Sequence, residues 1–275
     1  MIVVCRPGKT KIVSLFILLS KKLDKARQAY KRGDSTAARN VHVHSNLEDH
    51  SQGRYLKSLV YGGIDGVVTT FAIVAGVLGA NLDLLIVLIL GFANLIADGL
   101  SMAIGDFLST RSEIEFANSE RARELWEVRN FPQQEKDELI DIYVGKGMSI
   151  KDATEMVEIL SKHEKSWIDT MMATELNIPE SDESPITNGI TTFLSFVVFG
   201  FLPLGAYVLA EIFGVIQKPF IFAAVLTAIT LFVLGAVKAR MVGINYIRSG
   251  FEMLFVGGIA TAAAYAIGMA LGKIL

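Results

Sequence analysis

Residues 94–106, NLIADGLSMAIGD, place two carboxylates, an amide and a thioether inside a strongly apolar stretch. These four side chains recur every four residues, so on a helix they form one slowly drifting stripe. An ionised side chain deep in lipid is costly unless water, a polar partner or a cation relieves it. The stripe therefore predicts a path for a cation through a membrane. Its members are Asn94, Asp98, Met102 and Asp106.

Asp65 adds a further carboxylate within YGGIDGVVTT, a glycine-rich part of another apolar stretch. The glycines leave room for a second helix or for an ion. Carboxylate and amide oxygens suit hard cations such as Mn²⁺, whereas the Met102 thioether favours a softer ion such as Fe²⁺. Simpler interpretations stay open for single residues. Met102 could pack against lipid or protein, Asp98 could make a polar contact in the bundle, and Asp106 could face cytosolic water.

A second group of carboxylates lies in the polar segment 109–187. Glu124 and Glu127 are three residues apart, and so are Glu135 and Glu138, which puts each pair on one helical face. Like charges at this spacing repel, and a bound cation would offset the repulsion. A solvated acidic face is the simpler interpretation of either pair taken alone.

Methionines near a third carboxylate favour the metal interpretation. The stretch WIDTMMATEL places Met171 and Met172 four and three residues before Glu175, on one side of a helix. The candidate metal ligands of the segment are Glu113, Glu124, Glu127, Glu135, Glu138, Met171, Met172 and Glu175.

Composition bounds the class of protein. The 275 residues are 52% hydrophobic and 20% charged, which is typical of a membrane protein. The net charge of −2 argues against a nucleic-acid partner. The single cysteine, Cys5, excludes an intramolecular disulfide. We expect no enzymatic activity, because the apolar stretches hold no histidine and we find no serine or cysteine nucleophile motif.

Five segments are long and apolar enough to cross a bilayer, which needs about 20 residues. An odd number of spans puts the two termini on opposite sides. Of the 26 Lys and Arg residues, 12 precede or include Lys57, nine lie in 109–187 and three in 238–250. The positive-inside rule therefore places these three regions in the cytosol. The expected spans are 58–80, 84–108, 188–212, 219–240 and 251–273.

These patterns predict an all-α, polytopic membrane protein with five transmembrane helices and a cytosolic helical metal-binding insertion between helices 2 and 3. The insertion holds 18 of the 28 acidic residues. Helix starts are expected at Pro132 and at Ser149, with Asp152 three residues after the cap. The expected regions are a cytosolic N-terminal tail at 1–56, transmembrane helices 1 and 2 at 57–108, the metal-binding domain at 109–187 and transmembrane helices 3 to 5 at 188–275.

Helical periodicity in the insertion indicates about three amphipathic helices. The apolar residues with this spacing are Leu125, Val128, Phe131, Leu139, Ile142, Tyr143, Met156, Ile159 and Leu160. Small residues in the first and last spans, including Gly62, Gly66, Gly257 and Gly268, fit close helix packing either within one chain or between two.

The N-terminal region contains no strong functional motif. Residues 1–22 combine basic residues with a short apolar core, as signal peptides do, but no clear cleavage site follows, so we expect a loosely ordered polar extension. His42, His44 and His50 cluster at a spacing that matches no strong metal site. His163, in the insertion, is expected at the surface.

The chain resembles the vacuolar iron transporter family, which includes yeast-type calcium-cross-complementing transporters and plant nodulin-like relatives. The resemblance covers roughly residues 57–273. It rests on GGIDGVVTTFAIVAG in the first span, GLSMAIGDFLSTRSE in the second and WIDTMMATEL before the third, in that order. Five spans with a charged insertion after the second complete the match.

The resemblance implies a homodimer in the lipid bilayer with an ion pathway between the subunits. It implies that Fe²⁺, with Mn²⁺ and Zn²⁺ as further candidate ions, moves from the cytosol into a vacuole or other endomembrane compartment in exchange for protons. This activity would serve iron storage and detoxification. The resemblance also assigns Asp65 and Met102 to the transport path. It assigns all the candidate metal ligands of the insertion except Glu113 to metal binding, namely Glu124, Glu127, Glu135, Glu138, Met171, Met172 and Glu175.

Two departures from the family pattern affect the expected path. Plant-type members have a glutamate where this chain has Asn94, and they often have an aspartate where it has Ser58. We expect Asp98 and Asp106 to restore the lost carboxylates along the same stripe. The alternative to a proton-coupled transporter is a metal-gated passive cation channel or an iron sensor. A docking coiled coil at 109–187 is disfavoured, since no heptad pattern persists there.

Overall fold

The computed structural model describes residues 32–34, 51–180, 183–213 and 218–274. The chain divides into two compact units, residues 1–50 and residues 51–275. Almost all of the expected N-terminal tail, including His42, His44 and His50, lies outside the described residues.

The second unit contains eight described helices and no described strand. Five of them, α1, α2, α6, α7 and α8, are long and apolar enough to cross a membrane, which confirms the expected all-α fold and the five spans. The helices are α1 (Ser51–Gly79), α2 (Leu84–Asn130), α3 (Pro132–Gly145), α4 (Ile150–Leu160), α5 (Glu164–Thr174), α6 (Pro185–Phe213), α7 (Pro219–Val242) and α8 (Tyr246–Leu271).

Helix α1 is the centre of the bundle. It packs against α6 most extensively and also contacts α2, α7 and α8. Phe71 and Val74 of α1 are buried with Leu95 of α2 and with Phe196 and Leu204 of α6. By contrast, α2 and α8 leave many large apolar side chains exposed. A bundle of this kind needs lipid or another protein around it.

The glycines beside Asp65 receive a helix rather than an ion. A Cβ atom added at Gly62 would lie 2.7 Å from the carbonyl oxygen of Thr192, and one at Gly66 would also meet the backbone of α6. Gly268 of α8 packs in the same manner against Gly76 of α1. These small residues therefore serve helix packing within the chain.

Helix α2 is one continuous helix of 47 residues. At 1.5 Å per residue it is about 70 Å long, more than twice the hydrocarbon thickness of a bilayer. Its sequence is apolar up to about residue 108 and polar beyond. The helix thus runs without a break through the boundary that we expected at 108/109. The first amphipathic helix expected in the insertion is the second half of α2.

The insertion is a small helical unit with its own apolar core. The end of α2 packs with α3, α4 and α5 around Val128, Leu139, Val157, Trp167 and Met171. Burial of these side chains gives the four helices a common core, because each alone has only one apolar face.

Both expected helix starts in the insertion are confirmed. Pro132 occupies the first turn of α3, and the Ser149 hydroxyl oxygen accepts a hydrogen bond of 3.2 Å from the Asp152 amide at the start of α4. Two of the apolar residues with helical spacing are exposed. Phe131 follows α2, which ends at Asn130, and Ile159 lies on α4, whose buried side is formed by Ala153 and Val157.

Candidate functional site

Three helices of the insertion bring carboxylates together. Glu124 lies on α2, Glu135 on α3 and Glu175 at the end of α5, and one carboxylate oxygen from each lies within 4.8 Å of the other two. We call these three residues the triad. Glu124 and Glu135 are 0% and 6% exposed. The Glu175 amide donates a hydrogen bond of 2.9 Å to the Met171 carbonyl, which fixes the carboxylate at the helix end.

Burial and mutual repulsion disfavour the ionised triad. Burial, followed by repulsion from Glu175, raises the pKa of Glu124 to about 7. Burial, followed by repulsion from Glu138, raises the pKa of Glu135 to about 7 and also raises that of Glu175. Both carboxylate oxygens of Glu124 are buried and accept no hydrogen bond from the described residues, although Oε1 lies 3.0 Å from Nη2 of Arg123. Buried carboxylate oxygens of this kind are suited to a cation.

Two other candidate glutamates lie at the edge of the triad. Glu127 is half-buried and accepts a hydrogen bond of 2.6 Å from Arg123. Glu138 is exposed, yet it is close enough to raise the pKa values of Glu135 and Glu175. Each expected pair therefore contributes one buried carboxylate and one more accessible carboxylate to the same region.

Glu113 is separate from the triad. It precedes Glu124 by 11 residues on the same helix, about 16 Å along the axis. It is exposed and accepts a hydrogen bond of 3.3 Å from Ser109. Together with Asp169 and Glu183 it lines a cavity of about 470 Å³ at the junction of the insertion and the bundle. Its metal-binding role stays a prediction.

Met171 and Met172 belong to the apolar core of the insertion. They are 0% and 6% exposed and pack with Val128 and Trp167. Met172 also lines the junction cavity. The structure accounts for both residues by packing, and their role as ligands stays a prediction. His163 is exposed, as expected.

Within the bundle, the stripe of α2 lies along α1. Asn94 donates a hydrogen bond of 3.5 Å to the Thr69 hydroxyl, and Thr69 donates one of 2.8 Å to the Asp65 carbonyl. Asp98 is close enough to Asp65 to repel it electrostatically. Asp65, Asn94 and Asp98 therefore lie near one another on two neighbouring apolar spans, with Asp65 and Asn94 half-buried and Asp98 exposed.

Asp106 lies at the other end of the stripe, where α1, α2 and α6 meet. One carboxylate oxygen accepts hydrogen bonds from Ser58 at 2.8 Å and from Thr192 at 2.5 Å. Asp106 is thus held between three helices rather than simply facing water. The carboxylate of Asp106 thus lies beside Ser58, the position at which the resemblance implies an aspartate in many relatives.

Asp98 and Met102 have different surroundings. Met102 is half-buried and packs against the bundle core, which supports the packing interpretation of its thioether. Asp98 is exposed on the outer side of α2 beside Ile96 and Leu100, which are 52% and 46% exposed. A carboxylate on such a surface needs water, a cation or a second protein beside it.

Three further polar residues contact the candidate sites or lie near them and were missed in the sequence: Arg123 beside the triad, Thr192 beside Asp106, and Asn188 beside Thr110. Arg123 pairs with glutamates three residues before it and four after it, a spacing that reveals helical ion pairs. Asn188 donates hydrogen bonds of 3.0 Å to Thr110 and to Glu183. No local signal could have found Thr192, since its contact with Asp106 spans 86 residues.

Comparison with known proteins gives a consistent result. The VIT family model matches residues 56–269. A protein of Toxoplasma gondii named vacuolar iron transporter is 38% identical over 265 residues, covering 90% of this chain and 88% of its own. A Plasmodium falciparum protein of the same name is 34% identical, covering 92% of this chain and 98% of its own. Vacuolar iron transporter 1 of Arabidopsis thaliana is 31% identical, covering 82% and 89%.

Proposed function

Because the chain belongs to the VIT family, we propose that this integral membrane protein moves Fe²⁺ from the cytosol into an acidic, vacuole-like compartment in exchange for protons. The names of its relatives support iron as the cargo and a vacuole as the destination. The main observation behind the proposal is the grouping of Asp65, Asn94 and Asp98 on two neighbouring apolar spans, α1 and α2. Mn²⁺ suits the same oxygen ligands and is a second candidate cargo.

The triad is the proposed collecting site. Its three carboxylates and the neighbouring Glu127 and Glu138 attract divalent cations from the cytosol and raise their local concentration. The insertion then hands the ion to the bundle along α2, which carries both the triad residue Glu124 and the stripe. Asp106 is the first membrane carboxylate on this route.

Protons and metal ions compete for the same membrane carboxylates. A carboxylate surrounded by lipid is stable when it is protonated or when a cation lies beside it. Asp65 and Asp98 lie close together, so arrival of Fe²⁺ favours loss of a proton and departure of Fe²⁺ favours its return. A pH gradient across the membrane would then drive iron uphill.

Exposed polar and apolar groups support a homodimer. Asp98 lies on the outer side of α2, and α2 and α8 together expose many large apolar side chains. A second copy of the chain would cover Asp98 and enclose a hydrated pathway between the subunits. The distribution of Lys and Arg supports a cytosolic location for the N-terminus and for 109–187.

Metal uptake by vesicles containing the purified protein tests this function. Fe²⁺, Mn²⁺, Zn²⁺ and Ca²⁺ are offered separately, with an acidic vesicle interior. We expect uptake of Fe²⁺ and Mn²⁺ that stops when the pH gradient is collapsed. Uptake that is independent of the pH gradient would support a passive channel. If none of the four ions is taken up, the proposal is contradicted.

A further inference from the structure

Arg123 lies beside the triad and contacts three glutamates of α2. Its Nε atom lies 3.0 Å from Glu120 and its Nη1 atom lies 2.6 Å from Glu127. Its Nη2 atom lies 3.0 Å from Oε1 of the buried triad residue Glu124. One guanidinium thus covers the accessible side of the candidate metal site.

Arg123 is also a positive charge that acts on the whole triad. Its attraction opposes the rise in the pKa values of Glu124, Glu135 and Glu175. No other basic group among the described residues is a cause of these pKa shifts. Arg123 therefore supplies the positive charge that a divalent cation would supply at the same carboxylates.

A cation at the triad and the guanidinium in this position would repel each other. Both would use oxygens of Glu124 and Glu127, and two positive charges a few ångströms apart are unfavourable. The Arg123 side chain is 43% exposed, so it has room to move outwards. Glu120, one turn earlier on α2 and 24% exposed, already binds its Nε atom. Rotation towards Glu120 would release Glu124 and Glu127.

We propose that Arg123 is an internal competitor of the cargo cation at the triad, and that it moves to Glu120 when the cation binds. This inference rests on the proposed function, in which the triad binds divalent metal. Arg123 holds the carboxylates in place between two transport events and weakens metal binding by opposing it. A weaker site releases its ion faster, which suits a site that must pass its cargo on.

Metal titration of the full-length protein tests the competition. Both tryptophans of the chain, Trp126 and Trp167, lie in the insertion, so tryptophan fluorescence reports on the insertion and not on the membrane carboxylates. Mn²⁺ serves as the probe because it does not oxidise readily in air. The titration is done at about pH 8, above the pKa of about 7 of Glu124 and Glu135.

The variants at Arg123 and Glu120 should change Mn²⁺ affinity in opposite directions. We expect R123Q to tighten binding about tenfold, a typical size for coupled binding events. R123K keeps the charge and should bind Mn²⁺ like the unaltered protein. E120Q removes the alternative partner of Arg123 and should weaken binding several-fold. The matched control is R129Q, since Arg129 donates two hydrogen bonds of 2.9 Å to Glu164 away from the triad.

The triad variant E135Q/E175Q separates the two hypotheses. If it binds Mn²⁺ as well as the unaltered protein does, the triad is not the metal site and the proposed function of the insertion fails. If it loses binding while R123Q binds Mn²⁺ with unchanged or lower affinity, the triad stands and the competitor role of Arg123 is overturned. High salt should reduce the effect of R123Q, since the guanidinium is partly exposed.

Discussion

The carboxylate of Asp106 lies where three helices meet. Its side chain comes from α2, but it is held by Ser58 of α1 and Thr192 of α6. The resemblance to the family implies an aspartate at the position of Ser58 in many relatives. We propose that the ion path needs a carboxylate at this place, whichever of the two helices carries it.

Exchanging the two side chains tests this interpretation. D106S removes the carboxylate and should reduce vesicle uptake of Fe²⁺ by at least tenfold, because the route loses a cation ligand. The double variant S58D/D106S returns a carboxylate to the same place from α1. We expect it to recover a substantial part of the lost uptake. If the double variant is as inactive as D106S, Asp106 acts through its own helix and not through the location of its charge.

Asp65 is the membrane carboxylate on which the mechanism depends most. D65N keeps the size and polarity of the side chain but can hold neither a negative charge nor an exchangeable acidic proton. We expect Fe²⁺ uptake to fall to the level of empty vesicles while the thermal unfolding temperature in detergent changes little. The control is E252Q, which neutralises an exposed glutamate of α8 and should leave uptake intact. Normal uptake by D65N would remove Asp65 from the mechanism.

At the scale of elements, α2 is a rigid link between the two sites. It carries Glu124 at one end and the stripe at the other without a break. Exposed residues around Ser112 connect the two halves. An uninterrupted helix keeps the insertion at a fixed distance from the bundle, so the proposed hand-over of the ion would not depend on a flexible linker.

A proline at position 112 should reduce metal transport while leaving metal binding at the triad intact. S112P removes one backbone hydrogen bond and kinks or breaks the helix, at a cost of about 3 kcal/mol. We expect Mn²⁺ still to bind at the triad by tryptophan fluorescence, while Fe²⁺ uptake falls several-fold. S112A is the matched control and should behave like the unaltered protein. If S112P transports normally, continuity of α2 is unimportant for the hand-over.

The raised pKa values of the triad make the insertion sensitive to pH. Since the folded state holds these protons more tightly than the unfolded state, the contribution of the triad to the stability of the insertion is greatest below the ordinary carboxyl pKa and is lost as pH rises through about 7. A divalent cation offsets the repulsion in the ionised form. We therefore expect Mn²⁺ to raise the unfolding temperature more at about pH 8 than at about pH 5, where protons compete with the metal.

Thermal unfolding monitored by tryptophan fluorescence measures this effect at both pH values. The reference is E135Q/E175Q, in which two of the three carboxyl groups no longer titrate. Its stability should depend less on pH and respond little to Mn²⁺. An equal effect of Mn²⁺ at the two pH values would show that the triad does not exchange protons for metal.

The helices were largely predictable, and the arrangement of the carboxylates was predictable only in part. The length of the apolar segments located the spans, and Pro132 and Ser149 located the starts of α3 and α4. A change from apolar to polar composition does not end a helix, however, so the length of α2 was missed. Spacing grouped Glu124 with Glu127 and Glu135 with Glu138. The triad instead joins Glu124 and Glu135 to Glu175, and contacts among three helices decide which member of each pair is buried.

At the scale of the whole molecule, two acidic sites lie on one chain in different surroundings. The triad is in a helical unit that carries 18 of the 28 acidic residues, and the stripe lies in an apolar bundle with few charges. In the proposed function, the triad gathers ions from solution, whereas the stripe admits an ion only by exchange of charge. We propose that directed transport needs both steps and that the bundle alone sets the coupling to protons.

The most direct test of this coupling measures metal and proton movement in the same vesicles. An iron-sensitive dye inside reports Fe²⁺ entry, and a pH indicator outside reports proton release. We predict that Fe²⁺ entry into acidic vesicles is accompanied by protons leaving, and that D65N abolishes both signals together. Fe²⁺ entry without proton movement would contradict the exchange of charge at the membrane carboxylates.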